Sequence, residues 1–274
     1  MIKDILNYFG YAVAELLPLD GRVHFEFIHY YFKYPLLNAD SLLIIYSAMF
    51  LGLFIYFIRD IFRIAHDLFG AVRLLFLGRA TVRSVCAEFK MLNLLLVTVI
   101  ATVVYYPVYV WSARYDFSLY LSCALMMVSA LILRLSEVFT VIKVDGKTFN
   151  IKETVIFTFA QALSVIPGSS RIVSLIALGK FMGSEKKRLA TFALISFMPV
   201  LIIQLLTANN DAAYIFNVLL VNWKIFLLIS GMVVLSLDLI MMLLTSPTFY
   251  KFYYYIGGIA LWTILDLFFS KRGL

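Results

Sequence analysis

Two polar interruptions in an oily chain could do chemistry. The first is Ile166-Pro167-Gly168-Ser169-Ser170-Arg171, where an arginine stands beside two serines inside an apolar run. Proline ends a helix and glycine lets the backbone turn tightly. Serines at the start of the following helix would then sit where unpaired N–H groups and the helix dipole favour an anion. An adjacent arginine adds paired donors matched to phosphate oxygens. The same residues also suit a plain serine cap with the arginine paired to a glutamate. The second interruption is Glu15, followed by Pro18-Leu19-Asp20-Gly21-Arg22 and His24. Glu15 could orient a nucleophile or bind a divalent ion near phosphate, or form a structural ion pair. His24 could serve as acid, base or phosphate donor, or pack among aromatic neighbours. Asp238 is a further carboxylate within an apolar stretch, with no partner evident from the sequence.

These groups need elements that hold them within a membrane. Of the 274 residues 63% are hydrophobic and only 14% charged, too few charges for a soluble domain of this length. Uncharged runs at 91–112, 117–133 and 189–210 are long enough, or nearly so, to cross the hydrocarbon core as helices. The opening residues lack the pattern of a cleaved signal peptide and are expected to be retained structure. The net charge of +7 arises from basic residues in short stretches between apolar runs, which fits positive-inside topology and not nucleic-acid binding. Neither the two cysteines, Cys86 and Cys123, nor the three histidines have metal-site spacing.

Basic clusters at 59–90, 143–152 and 180–188 should share the cytoplasmic side, so an even number of crossings separates each pair. The stretch 153–179 is too short for two spans and is interrupted by the Pro-Gly break, so a re-entrant hairpin fits. The expected fold is an all-α integral membrane protein built as an inverted repeat, each half a re-entrant helical hairpin plus three transmembrane helices. The first repeat, 1–142, comprises a hairpin at about 1–38 and spans at about 40–62, 91–112 and 117–142. The second, 143–274, comprises a hairpin at about 153–183 and spans at about 189–208, 219–244 and 249–269. The Lys-Lys-Arg run at 186–188 would stop the second hairpin, and Tyr253–Tyr255 would form an interfacial belt. Irregular backbone at membrane depth persists only in protein or beside a wet cavity, so Glu15 and Arg171 should approach each other there.

The stretch KTFNIKETVIFTFAQALSVIPGSSR, with ATFALISFMPVLI and FYKFYYYIGGIAL further on, resembles the undecaprenyl-diphosphate phosphatase family of the bacitracin-resistance type. Ala160, Gln161, Ala162, Leu163, Pro167, Gly168, Ser170 and Arg171 match its second motif. Glu15, Leu17, Pro18 and His24 match its first motif with identical spacing. The resemblance implies hydrolysis of undecaprenyl diphosphate to the monophosphate, recycling the carrier lipid for peptidoglycan synthesis. It implies a multi-pass protein of the bacterial cytoplasmic (inner) membrane, whose site opens outward and uses a divalent cation, Mg²⁺ or Ca²⁺. The implied partners are the polyprenyl diphosphate lipid, the bilayer and, in a homodimer, a second copy of the chain.

By position, Glu15, His24, Ser170 and Arg171 would be catalytic, with Glu15 also the metal ligand. Arg171, Ser170, Ser169, Gly168 and Ser174 would bind substrate. The pattern departs in three places: the family's first glutamate falls on Tyr11, its Ser-Ser-x-Gly on Asp20-Gly21-Arg22-Val23, and its later Ser-Gly-x-Thr on Ile172-Val173-Ser174-Leu175. Asp20 and Arg22 would stand in for lost groups. The alternative is a non-catalytic lipid-phosphate binder or flippase-like transporter of the same fold. The other integral-membrane lipid phosphatase class needs a histidine where Ala177 stands, which argues against it here.

Overall fold

A computed structural model describes residues 2–78, 90–139, 151–208 and 212–270. Every regular element among them is helical. The chain begins with two short helices, α1 (Ile2–Leu16) and α2 (Gly21–Phe32), joined by the Pro18–Asp20 turn. Three longer helices and a fourth of different character follow: α3 (Ala39–Tyr56), α4 (Ile58–Phe76), α5 (Lys90–Ser112) and α6 (Leu119–Val138). A second short pair is formed by α7 (Ile151–Leu163) and α8 (Arg171–Phe181). Then come α9 (Lys186–Ile195), α10 (Phe197–Ala208), α11 (Ala212–Val221), α12 (Trp223–Thr245) and, after a 3₁₀ turn at Phe249–Lys251, α13 (Phe252–Ser270).

Among the described residues, six segments are long and apolar enough to cross a membrane: α3, α5 from Asn93, α6, the continuous run α9–α10, α12 and the run ending in α13. The chain is therefore a multi-pass membrane protein. At 15, 12, 13 and 11 residues, α1, α2, α7 and α8 are each too short to span.

Local sequence explains where these helices start and stop. Asp20, Asn38, Ser118 and Ser170 cap α2, α3, α6 and α8, each accepting a first-turn backbone N–H. The run α9–α10 is interrupted at Ser196, just before Pro199, which has no N–H to continue the ladder. The stretch expected as a span over 40–62 ends at Tyr56, because Arg59, Asp60 and Arg63 belong to the amphipathic α4.

The core centres on α8, whose residues from Arg171 to Ala177 are all buried. It packs against α6, α7 and α9, while α3 lies on α12 and α6 on α13. Basic residues at the α8–α9 turn find acidic partners: Lys180 and Lys186 both pair with Glu137, and Arg188 lies 2.6 Å from Glu153, which is fully buried. The run at 186–188 thus ties three elements together. Arg79, Arg83, Lys143 and Lys147, used in the charge reading, and Cys86, considered for metal spacing, lie outside the described residues.

Candidate functional site

The two short helix pairs meet at their breaks. Asp20 caps α2 through Oδ1, which accepts from Val23 N at 3.2 Å, and its Oδ2 accepts from Gly168 N at 2.8 Å. Arg22 reaches the same break from the first turn of α2, donating through Nη1 to the Val165 carbonyl at 3.1 Å and through Nη2 to the Ser164 carbonyl at 3.3 Å. Its Nε lies 3.7 Å from Asp20 Oδ1. The first break therefore supplies the hydrogen-bond partners that the second, non-helical break needs at membrane depth.

Two glycines make the approach possible. Gly168 has φ of +91°, and a Cβ there would overlap the Ser122 carbonyl. A Cβ on Gly21 would come within 2.9 Å of Cγ and Oε1 of Glu15, so the glycine lets that carboxylate fold back over the start of α2.

Arg171 opens α8 and is only 7% exposed. Its Nη1 donates to the Ala193 carbonyl at 2.8 Å, and its guanidinium carbon lies 3.3 Å from the centre of the Phe197 ring. Its Nη2 is buried with no hydrogen-bond partner, a costly state for a charged donor. Gln161 similarly ties α7 to the interrupted span, donating to the Ser196 carbonyl at 3.3 Å.

Glu15, Asp20, Arg22, Ser164, Ser169, Ser170 and Arg171 line one polar cavity, together with Leu19, Tyr105, Phe197, Val200 and Gln204. Its volume is about 20 Å³, room for roughly one water molecule. Tyr105 on α5 and Gln204 on α10 are joined across it by a long hydrogen bond of 3.4 Å, and Gln204 Oε1 has no partner. Sequence reasoning missed both residues, since each is an uncharged side chain in an uncharged run. Tyr11, at the family's first glutamate position, shares a long hydrogen bond of 3.4 Å with the Tyr46 hydroxyl.

Three expected site residues stand elsewhere. His24 is two residues beyond Arg22, about 200° around the helix, and faces the other way. Its Nδ1 bonds the Asp20 carbonyl at 2.8 Å, and its ring stacks on Tyr255 at 5.8 Å between centroids. It lines a separate groove with Phe27, Tyr31 and Trp262. Ser174 is buried one turn below the start of α8 and does not line the cavity. Gly168 contributes its N–H to Asp20 and not to the cavity. Asp238 accepts from the Tyr56 hydroxyl at 2.8 Å, joining α12 to α3 away from the site.

No group of three or more His, Cys, Asp or Glu side chains converges among the described residues. Glu15 and Asp20 are the two carboxylates at the cavity. A small divalent cation takes one or two carboxylates and completes its shell with phosphate oxygens and water. The pair fits that use, with Glu15 the less committed of the two.

Beside the cavity runs an apolar groove of about 490 Å³ between α5 and the α9–α10 run. Thr98, Val99, Thr102 and Val103 form one wall, and Ile195, Met198, Pro199 and Ile203 the other. The helical stripe Thr98–Thr102–Tyr105 leads from the groove into the polar cavity.

A curated relative, an undecaprenyl-diphosphatase of Methanobrevibacter smithii, is 28% identical to this chain over 145 residues, and the match spans about half of either protein, 52% of each. A family model described as bacitracin resistance protein BacA matches residues 11–262, nearly the whole chain. The chain thus belongs to the BacA family.

Proposed function

We propose that the protein hydrolyses undecaprenyl diphosphate to undecaprenyl phosphate and phosphate. In this reading it recycles the carrier lipid for cell-envelope synthesis in the bacterial cytoplasmic membrane, from a site open to the outer face. The observation that carries the proposal is Arg171 Nη2, a buried guanidinium nitrogen without a partner in a cavity that also holds Arg22 and Glu15. Family membership and the relative's printed activity support the choice of substrate.

In the reaction, water attacks the terminal phosphorus and the anhydride P–O bond breaks, with the prenyl phosphate leaving. Glu15 takes the proton from that water, and Arg171 balances charge on the phosphate oxygens. Ser169 and Ser170 bring hydroxyls to the same wall. Arg22 already holds two carbonyls, so its part is to fix the break as well as to add positive potential. Glu15, with Asp20, would hold a divalent cation that neutralises diphosphate charge. The isoprenoid chain next to the diphosphate lies in the α5/α10 groove. Because the cavity is about one water in size, Tyr105 and Gln204 separate to admit the headgroup.

The two halves form an inverted repeat in this proposal. Its support is that α1 packs on α12 as α7 packs on α5, helices that occupy equivalent places in the two halves. Purified protein supplied with Mg²⁺ or Ca²⁺ should release phosphate from farnesyl and undecaprenyl diphosphates. Tight binding of the diphosphate without turnover would instead support a carrier.

A further inference from the structure

The helix α4 is not required by any chemistry at the cavity, and its surface is divided in an unusual way. Phe62, Phe69 and Phe76 recur every seventh residue and form one stripe. They are 68%, 76% and 89% exposed. Ile61, Ile64 and Ala71, on the adjoining face, pack toward the protein. On the other side of the phenylalanine stripe lie Arg59, Arg63 and Arg73, all exposed. A span would not carry these charges, and a helix in water would not expose three phenylalanines in line.

The neighbours of α4 fix where it lies. It packs on α5 and α3, both among the segments able to cross the membrane, and it follows α3 after a single residue, Phe57. It therefore leaves the bilayer core at the end of one span and stays beside another. A helix with bulky aromatics on one face and arginines along the border of that face lies flat at a membrane surface, rings in the acyl region and guanidiniums at the phosphates. We propose that α4 is an in-plane anchor whose arginine border binds anionic phospholipid headgroups while its phenylalanine stripe enters the leaflet. The proposal does not rest on the reaction at the cavity, although Ile61 and Ile64 on the inner face of α4 also line the apolar groove beside α5. Acidic Asp60 and Asp67 lie on the far side of the arginine border, and Arg63 turns partly back to Asp60 at 3.3 Å, leaving Arg59 and Arg73 as the stronger headgroup contacts.

Spin labels decide the matter in the full-length protein with Cys86→Ser and Cys123→Ala. Single cysteines at Phe62, Phe69, Phe76, Arg59 and Arg73 carry the label in phosphatidylcholine vesicles with and without phosphatidylglycerol. The anchor predicts that labels at the three phenylalanine positions collide with oxygen and those at the arginine positions with a water-soluble nickel chelate. It also predicts a greater depth at position 69 when phosphatidylglycerol is present, a gain lost in Arg59→Gln/Arg73→Gln. Nickel access at the phenylalanine positions would overturn the proposal in favour of a water-exposed helix. Protection of those positions from both reagents would overturn it in favour of a second copy covering α4. Equal depth in both vesicle types would remove the anionic-lipid part. Size-exclusion profiles matching the parent confirm that each variant is folded.

Discussion

Arg171 is held by one nitrogen to the Ala193 carbonyl and by its face to Phe197, leaving the other terminal nitrogen free. This is the geometry of a donor kept in place for a ligand, since a purely structural arginine would spend both. Arg171→Lys keeps the charge but loses the planar fork, and should retain binding while losing most of the turnover. His24 belongs to another face. His24→Phe should lower kcat by less than about tenfold, the range left when a group outside the reacting centre is removed. A pH–rate profile unchanged on the acid side would accompany it. Gly168→Ala should be destabilising by about 2 kcal/mol or more, read as a lowered midpoint of thermal unfolding, because both φ and the Ser122 carbonyl oppose a Cβ. Glu15, Asp20, Arg22 and Arg171 were legible in the sequence because charge is costly in an oily chain. Tyr105 and Gln204 were not, as their chemistry appears only when α5 and α10 come together. The expectation for His24 came from matched spacing, which fixes distance along the chain but not the face of a helix.

The two short helix pairs are joined through their irregular ends. Asp20 and Arg22 together make three hydrogen bonds to the second break, so Asp20→Ala removes both a helix cap and a cross-link. A loss of about 1–3 kcal/mol is expected, with activity falling more steeply than stability. The α5/α10 groove makes a separate forecast. Val103→Trp should narrow it, raising KM for undecaprenyl diphosphate several-fold while leaving farnesyl diphosphate nearly unchanged. Equal effects on both substrates would place the long chain elsewhere. Proline and glycine announced the second break, and the structure puts it where expected, between α7 and α8. The nature of α4 was hidden because charge counting over 59–90 registers basic residues but not their period. The interruption at Ser196 was hidden as well, since Pro199 lies in an uncharged run that reads as continuous.

On the scale of the molecule, the long uncharged runs gave the membrane assignment most directly: 91–112 falls within α5 and 117–133 largely within α6. Composition alone placed the chain in a bilayer, because no soluble core could absorb this much apolar surface. Orientation rests on charge asymmetry and on the proposed two-fold relation between halves. A cysteine at Ala113, in the turn between α5 and α6, should then be labelled by an impermeant reagent from outside intact cells. One at Lys187 should be labelled only in inverted vesicles. Labelling of both from the same side would break the inverted repeat. The arrangement matters for function because it brings the two non-spanning helix pairs together, where the first supplies partners for backbone groups of the break in the second.

The central claim is that Arg171 and Glu15 form a diphosphate-cleaving site between the two breaks. Its most direct measurement is phosphate release from undecaprenyl diphosphate by purified protein in parallel with Arg171→Ala and Glu15→Gln. The account predicts turnover by the parent and a loss of about a hundredfold or more in either variant, with both still folded. Undiminished turnover in Arg171→Ala would contradict it.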